Sequence, residues 1–175
     1  MFNGIIYHCG IVKKIFKQKK SLYLEIKTNL KFKNKEIGSS ISCNGVCLTL
    51  TKILKGNISF YLSFETLNKS NFKMIKPGDI INLEKSVTYG QKISGHYLQG
   101  HIDCTGYVSA LKIIENTWML SIKIHKKYKK LLVNKASIGI NGVSLTISKI
   151  LANGFQVSII SKNTSDQINS ILRKV

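Results

Sequence analysis

Two short stretches of this 175-residue chain carry the side chains best suited to chemistry. In Asn44-Gly45-Val46-Cys47-Leu48-Thr49 a thiol stands where Asn141-Gly142-Val143-Ser144-Leu145-Thr146, 97 positions on, has a hydroxyl. Either group becomes a nucleophile once a base is near, and the difference between them would let two otherwise matched sites take different roles. His101 is of the one side-chain type whose charge changes around neutral pH, which makes it the first candidate for proton transfer. A cysteine in an apolar strand is most often a small buried hydrophobe, so Cys47 gains interest from its matched partner and not from its type. Metal binding has no such support. Cys9, Cys43, Cys47 and Cys104 form no C-x-x-C pair, and with His8, His96 or His101 they match no zinc-ligand spacing.

The elements that must position these groups also repeat. Gly4-Ile5-Ile6-Tyr7-His8-Cys9-Gly10-Ile11-Val12 is echoed by Gly100-His101-Ile102-Asp103-Cys104-Thr105-Gly106-Tyr107-Val108, displaced by 96. Two landmarks at nearly one offset divide the chain into related units, residues 1–87 and 88–175. Within each, residues 21–26, 58–64, 118–124 and 155–160 are rich in β-branched and aromatic types between turn signals. Asn44-Gly45, Asn141-Gly142, Lys55-Gly56, Asn153-Gly154 and Pro77-Gly78-Asp79 supply the turns. Only 126–133 and 166–172 suggest short helices. Closely spaced strands in so small a unit predict an all-β fold of two tandem six-stranded antiparallel barrels, since closure removes exposed edges. The first unit continues through Lys76-Pro77-Gly78-Asp79 into a closing strand. The second reaches Val175 where that turn should begin, so its barrel is expected to lack its last strand.

The net charge of +19 points toward nucleic acid, but its make-up does not. Of 27 basic residues only Arg173 is arginine, the type whose planar fork reads phosphates and bases. The lysines cluster at 13–20, 31–35 and 123–130, between apolar segments, as a solvated surface would have them. A hydrophobic fraction of 43% suffices for a buried core. No apolar run approaches the roughly 20 residues that span a bilayer. No secretory leader is evident, so a cytoplasmic protein without membrane or nucleic-acid partners is expected.

Met1-Phe2-Asn3-Gly4-Ile5-Ile6, the paired N-G-V-C-L-T and N-G-V-S-L-T, Phe64-Glu65-Thr66-Leu67, the stretch from Pro77 to Glu84 and that from Gly95 to Asp103 together resemble the riboflavin synthase alpha chain. The resemblance runs along essentially the whole chain. It implies a transferase that dismutates two molecules of 6,7-dimethyl-8-ribityllumazine, without metal or organic cofactor. One molecule gives a four-carbon unit to the other, yielding riboflavin and 5-amino-6-ribitylamino-2,4(1H,3H)-pyrimidinedione. A homotrimer is implied, with the two lumazines of each site held between the barrels of neighbouring subunits.

Carried over by position, Gly4-Ile5-Ile6 and Cys47-Leu48-Thr49 resemble a first pocket, walled by Tyr61-Leu62-Ser63-Phe64-Glu65-Thr66. Gly100-His101-Ile102, Lys135, Ser144-Leu145-Thr146 and Ser158-Ile159-Ile160-Ser161-Lys162-Asn163-Thr164 resemble the second. Cys47, His101 and Ser144 are the implied catalytic residues, with Phe2 packing on the ring or shielding it from water. Either Asn163 or Thr164 takes the binding role in a stretch that replaces the family's Ile-Pro-x-Thr. The family's acidic residue near the second site and its C-terminal helix have no counterpart in these 175 residues. Two rival readings follow. One is a catalytically silent lumazine- or flavin-binding relative, suggested by the short C-terminus. The other is a basic β-barrel binding nucleic acid, which rests on charge alone.

Overall fold

The computed structural model describes residues 1–160; Ser161, Lys162, Asn163, Thr164 and the expected helix at 166–172 lie outside the described residues. Strands form where apolar side chains alternate with polar ones. In β2 (Ser21–Thr28), Leu22, Leu24 and Ile26 point inward while Tyr23 and Lys27 face solvent. With β1 (His8–Gln18), β3 (Ser40–Cys43), β4 (Val46–Leu54), β5 (Asn57–Leu62) and β6 (Ile80–Lys85), it makes a closed antiparallel barrel in the order β1-β2-β5-β4-β3-β6. Closure is the work of β6. It pairs with β1 through Ile81↔Gly10 and with β3 through Cys43↔Leu83, and so leaves no free edge. Leu24, Ile26, Leu50, Phe60, Phe72, Ile81 and Leu83 fill the interior.

The second unit repeats this plan. Its strands are β7 (Gly106–Ile114), β8 (Thr117–Ile124), β9 (Ser137–Ile140), β10 (Val143–Leu151) and β11 (Gly154–Ile160). They lie in the order β7-β8-β11-β10-β9, the order of the first barrel's first five strands. The β-bulges repeat as well, at Val12/Lys14 and Val108/Ala110, and at Leu50/Lys52 and Ile147/Lys149. Among the described residues this unit is therefore a five-stranded sheet. Its inward face carries Leu120, Ile122, Ile140, Ile147, Phe155 and Val157.

Two local expectations need correction. The strand read over 58–64 stops at Leu62, because the Ser63 hydroxyl accepts the Thr66 N–H and starts a one-turn helix α1 (Phe64–Lys69). The short helix expected over 126–133 forms, as the 3₁₀ helix Lys126–Leu131, so that only its type and its end are corrected.

The two units are locked together at their matched turns. Asn44 and Gly45 have φ of 45° and 81°, and Asn141 and Gly142 have 47° and 83°, as a two-residue turn with both central residues left-handed requires. The turns meet so closely that a Cβ on Gly45 would stand 2.6 Å from the Gly142 nitrogen. Asn82 ties the junction. Its N–H donates to Asn44 Oδ1 (2.8 Å) and its side-chain amide donates to the Asn141 carbonyl (3.0 Å).

Gly45→Ala should therefore suffer twice, from backbone strain of about 1–2 kcal/mol and from a clash across the junction. Gly78→Ala has the strain alone, since φ is +88° there with nothing within 4 Å. At roughly 2–4 °C per kcal/mol for a chain of this size, Gly45→Ala should lower the melting temperature at least twice as far as Gly78→Ala. Equal losses would contradict the junction.

Candidate active site

The matched motifs occupy matched places. On β4, Leu48 and Leu50 point into the barrel, so Cys47 and Thr49 face outward, and Tyr61 on neighbouring β5 is exposed with them. On β10, Ile147 is inward while Ser144 and Thr146 face out, with Ser158 of β11 exposed like its counterpart Tyr61. Each unit thus presents one reactive side chain, Cys47 or Ser144, beside a threonine on an outer surface.

Each outer surface is completed by the other repeat. Gly4 O accepts the Ser144 N–H and Gly100 O accepts the Cys47 N–H, both at 2.8 Å. Both glycines have left-handed φ (+76° and +82°), and a Cβ would come within 2.7 Å of Ser144 Cβ at Gly4 and within 2.6 Å of Cys47 Cβ at Gly100. Only glycine fits so close an approach in that conformation. The expected grouping of Gly4-Ile5-Ile6 with Cys47-Leu48-Thr49, and of Gly100-His101-Ile102 with Ser144-Leu145-Thr146, is therefore exchanged. Ile102 confirms the crossing, for it packs against the core of the first barrel.

The residue that reasoning from sequence missed is His96. Its Nδ1 lies 2.6 Å from Ser144 Oγ, with donor and acceptor set by the ring tautomer. Burial holds its imidazole below the usual histidine value, which favours the neutral ring. A neutral histidine on a serine hydroxyl can take or return a proton. His101 differs from expectation in setting: it is exposed and follows Gly100 on the segment that meets Cys47.

Phe2 requires a correction. It is 0% exposed, paired through its backbone with Leu98, and so anchors the N-terminal segment, where packing on the ring or shielding it from water was expected. Ile6, Leu48, Leu62 and Ile159 are also buried, which leaves them only backbone groups to offer a ligand. Ile5 and Leu145 are half-buried. Ser63, Phe64, Glu65 and Thr66 begin α1, where Glu65 pairs with Lys69 at 3.2 Å. Lys135 is exposed with φ of 67° where the first repeat has Gly38. Its N–H donates to Ile147 O (3.0 Å), just as Gly38 donates to Leu50 O (2.8 Å). Lys19, Lys55 and Glu115 adopt the same left-handed backbone at other turns. Ile160 is exposed at the end of β11.

A cavity of about 490 Å³ lies under the second sheet, lined in part by Ile122, Ile138, Ile140, Phe155 and His101. Its walls join that inward apolar face to the 96–106 segment, His96 and Gly100 included, and to the Asn-Gly junction, whereas Ser144, Thr146 and Ser158 face outward. The repeated polar groups lie on the outer surfaces, and His96 links the cavity to the Ser144 surface. Among the described residues no group of three or more His, Cys, Asp or Glu is placed to hold a metal.

The lumazine binding domain family matches this chain twice, over residues 3–86 and 99–173. The riboflavin synthase of Buchnera aphidicola subsp. Baizongia pistaciae is 38% identical over 162 residues, covering 91% of this chain and 76% of that one. That of Bacillus subtilis is 30% identical over 170 residues, covering 97% and 79%. Among solved structures, LumP complexed with riboflavin is similar with a TM-score of 0.80 at 27% identity, covering 91% of this chain and 87% of that one. LumP complexed with 6,7-dimethyl-8-(1'-D-ribityl) lumazine aligns with a TM-score of 0.78 over the same shares. With its duplicated unit matched in both halves and more than nine-tenths of its length aligned to enzymes of which it covers 76% and 79%, the chain belongs to the riboflavin synthase family.

Proposed function

We propose that the chain catalyses the dismutation of 6,7-dimethyl-8-ribityllumazine to riboflavin and 5-amino-6-ribitylamino-2,4(1H,3H)-pyrimidinedione. The observation that carries this reading is the pair of matched outer surfaces, one bearing Cys47 and the other Ser144 with His96 at 2.6 Å. A reaction between two molecules of one substrate calls for two related pockets with unequal chemistry, and the repeat supplies both. Holding two rings in fixed contact turns a second-order encounter into an effectively unimolecular step.

The lumazine C7 methyl is acidic, so one surface must accept its proton and the other must activate the ring that receives the four-carbon unit. In the tautomer with its proton on Nε2, His96 Nδ1 accepts the Ser144 hydroxyl hydrogen and strengthens Oγ as base or nucleophile. Cys47 offers a thiol at the equivalent place, with His101 next to the glycine it meets. Thr49, Thr146 and Ser158 suit the ribityl hydroxyls, and Lys135 adds a cation beside the second surface. An outward surface covers only one face of a planar ring. The second face is supplied by another chain, in a homotrimer located in the cytoplasm. Each chain divides into two lumazine-binding units, 1–87 and 88–175, and Asn163 or Thr164 completes the second.

Purified chain incubated with the lumazine alone should form riboflavin at half the molar amount consumed. Binding without riboflavin would make it a silent relative. Ser144→Ala and Cys47→Ala should each lower kcat by about 10²-fold or more, with lumazine affinity changed less than about threefold. Losses shared equally between kcat and affinity would demote them to binding residues. Because burial depresses the His96 pKa, the neutral ring persists as pH falls through the ordinary histidine value of about 6.5. The acid limb of kcat should therefore fall below that value and vanish in His96→Gln; a limb at or above it would contradict the role.

A further inference from the structure

Glu84 belongs to neither outer surface, yet it grips the segment that reaches the second one. On β6, Ile81 and Leu83 close the first barrel, and the half-buried Glu84 carboxylate accepts two successive backbone amides. Oε1 takes the Asn3 N–H at 2.7 Å and Oε2 takes the Gly4 N–H at 3.0 Å. One carboxylate on two adjacent N–H groups fixes both the position and the rotation of that segment.

The same two residues hold the reactive pair from their other side. Asn3 O accepts the His96 N–H at 3.2 Å, and Asn3 Oδ1 accepts the Gly95 N–H at 2.7 Å. Gly4 O accepts the Ser144 N–H at 2.8 Å. The peptide joining Asn3 to Gly4 thus gives its N–H to Glu84 and takes the His96 amide on its carbonyl. Hydrogen bonds arranged in such a chain polarise one another. Phe2, fully buried and laddered to Leu98, keeps the segment from sliding.

A carboxylate is a costly way to close a barrel. Burial pushes the Glu84 carboxyl up, against the pull of the Asn3 and Gly4 amides. The neighbouring apolar residues of β6 already complete the core, so the charge needs another reason to be there.

We propose that Glu84 is a positioning residue for the His96–Ser144 pair, acting across the junction through Asn3 and Gly4. The proposal rests on the dismutation reading for its kinetic consequence, but not for its geometry. It explains how a residue of the first barrel governs chemistry on the second sheet. Glu84 itself does not touch the reacting atoms in this account.

The test is Glu84→Gln, which keeps the shape but sets an amide N–H against one backbone N–H. We expect kcat to fall by about tenfold or more, with lumazine affinity within about threefold. In a Ser144→Ala background the same change should cost less than about twofold, because the pair it positions is already broken. An equal loss in both backgrounds, or a loss that merely follows the folded fraction, would overturn the proposal. A second readout needs no substrate. The ¹⁵N resonance of His96 Nδ1 in Glu84→Gln should move toward its value in Ser144→Ala, and an unchanged resonance would overturn the proposal. If the unaltered chain made no riboflavin, the dismutation reading would fall while the resonance still decided the role of Glu84. Should Glu84→Gln fail to fold, Glu84→Asp draws the carboxylate back by one methylene from the Asn3 and Gly4 amides and should shift the same resonance; no shift there would also overturn it.

Discussion

At Cys47 and Ser144 the strand amide is turned to a carbonyl of the other repeat, Gly100 or Gly4, at 2.8 Å. A buried backbone N–H must have an acceptor, so neither surface can form correctly unless the opposite repeat delivers its glycine segment. These two bonds make the repeats interdependent. They also explain the glycines, since any side chain at either position would collide with the very residue proposed to react. The junction of the two Asn-Gly turns serves the same end by fixing the distance the crossing segments must cover.

The two halves of this exchange are alike in backbone and unlike in side chains. On the Ser144 side, the segment between β6 and β7 contributes His96, and the first barrel contributes the Glu84 grip on Asn3 and Gly4. On the Cys47 side, the crossing segment brings Gly100 followed by the exposed His101. Duplication thus produced two matched outer surfaces, and the unmatched additions set them apart. Such an arrangement suits a reaction in which two identical molecules take different parts.

Much of this was legible in the sequence. The repeated N-G-V-x-L-T motif places a left-handed turn, then an inward, an outward, an inward and an outward residue. Period-two alternation alone therefore turns Cys47 and Thr49, and likewise Ser144 and Thr146, to one face. The barrel follows from strand spacing and turn chemistry. What stayed hidden is long-range. Motif spacing records which residues are neighbours along a strand but not which carbonyl meets a given amide 53 or 140 residues away, so the exchange of glycine segments does not follow from it. Phe2 beside a site reads equally as a lining or an anchor, and only the path of the chain buries it. His96 has no counterpart in the first repeat, so the duplication does not single it out for catalysis. The one visible hint was its place within the motif running from Gly95 to Asp103. Ser63 was swept into a strand because its helix-capping bond outweighs the β-prone pattern around it.

The crossing of the repeats is open to direct measurement through amide exchange. Residue-resolved hydrogen exchange on the unliganded chain reports whether the Cys47 and Ser144 amides are engaged. Both amides should be protected to an extent comparable with the barrel core, and Ser144 alone should lose protection when Glu84 is replaced by Gln. Exchange at the rate of exposed backbone at either amide in the unaltered chain would contradict the crossing.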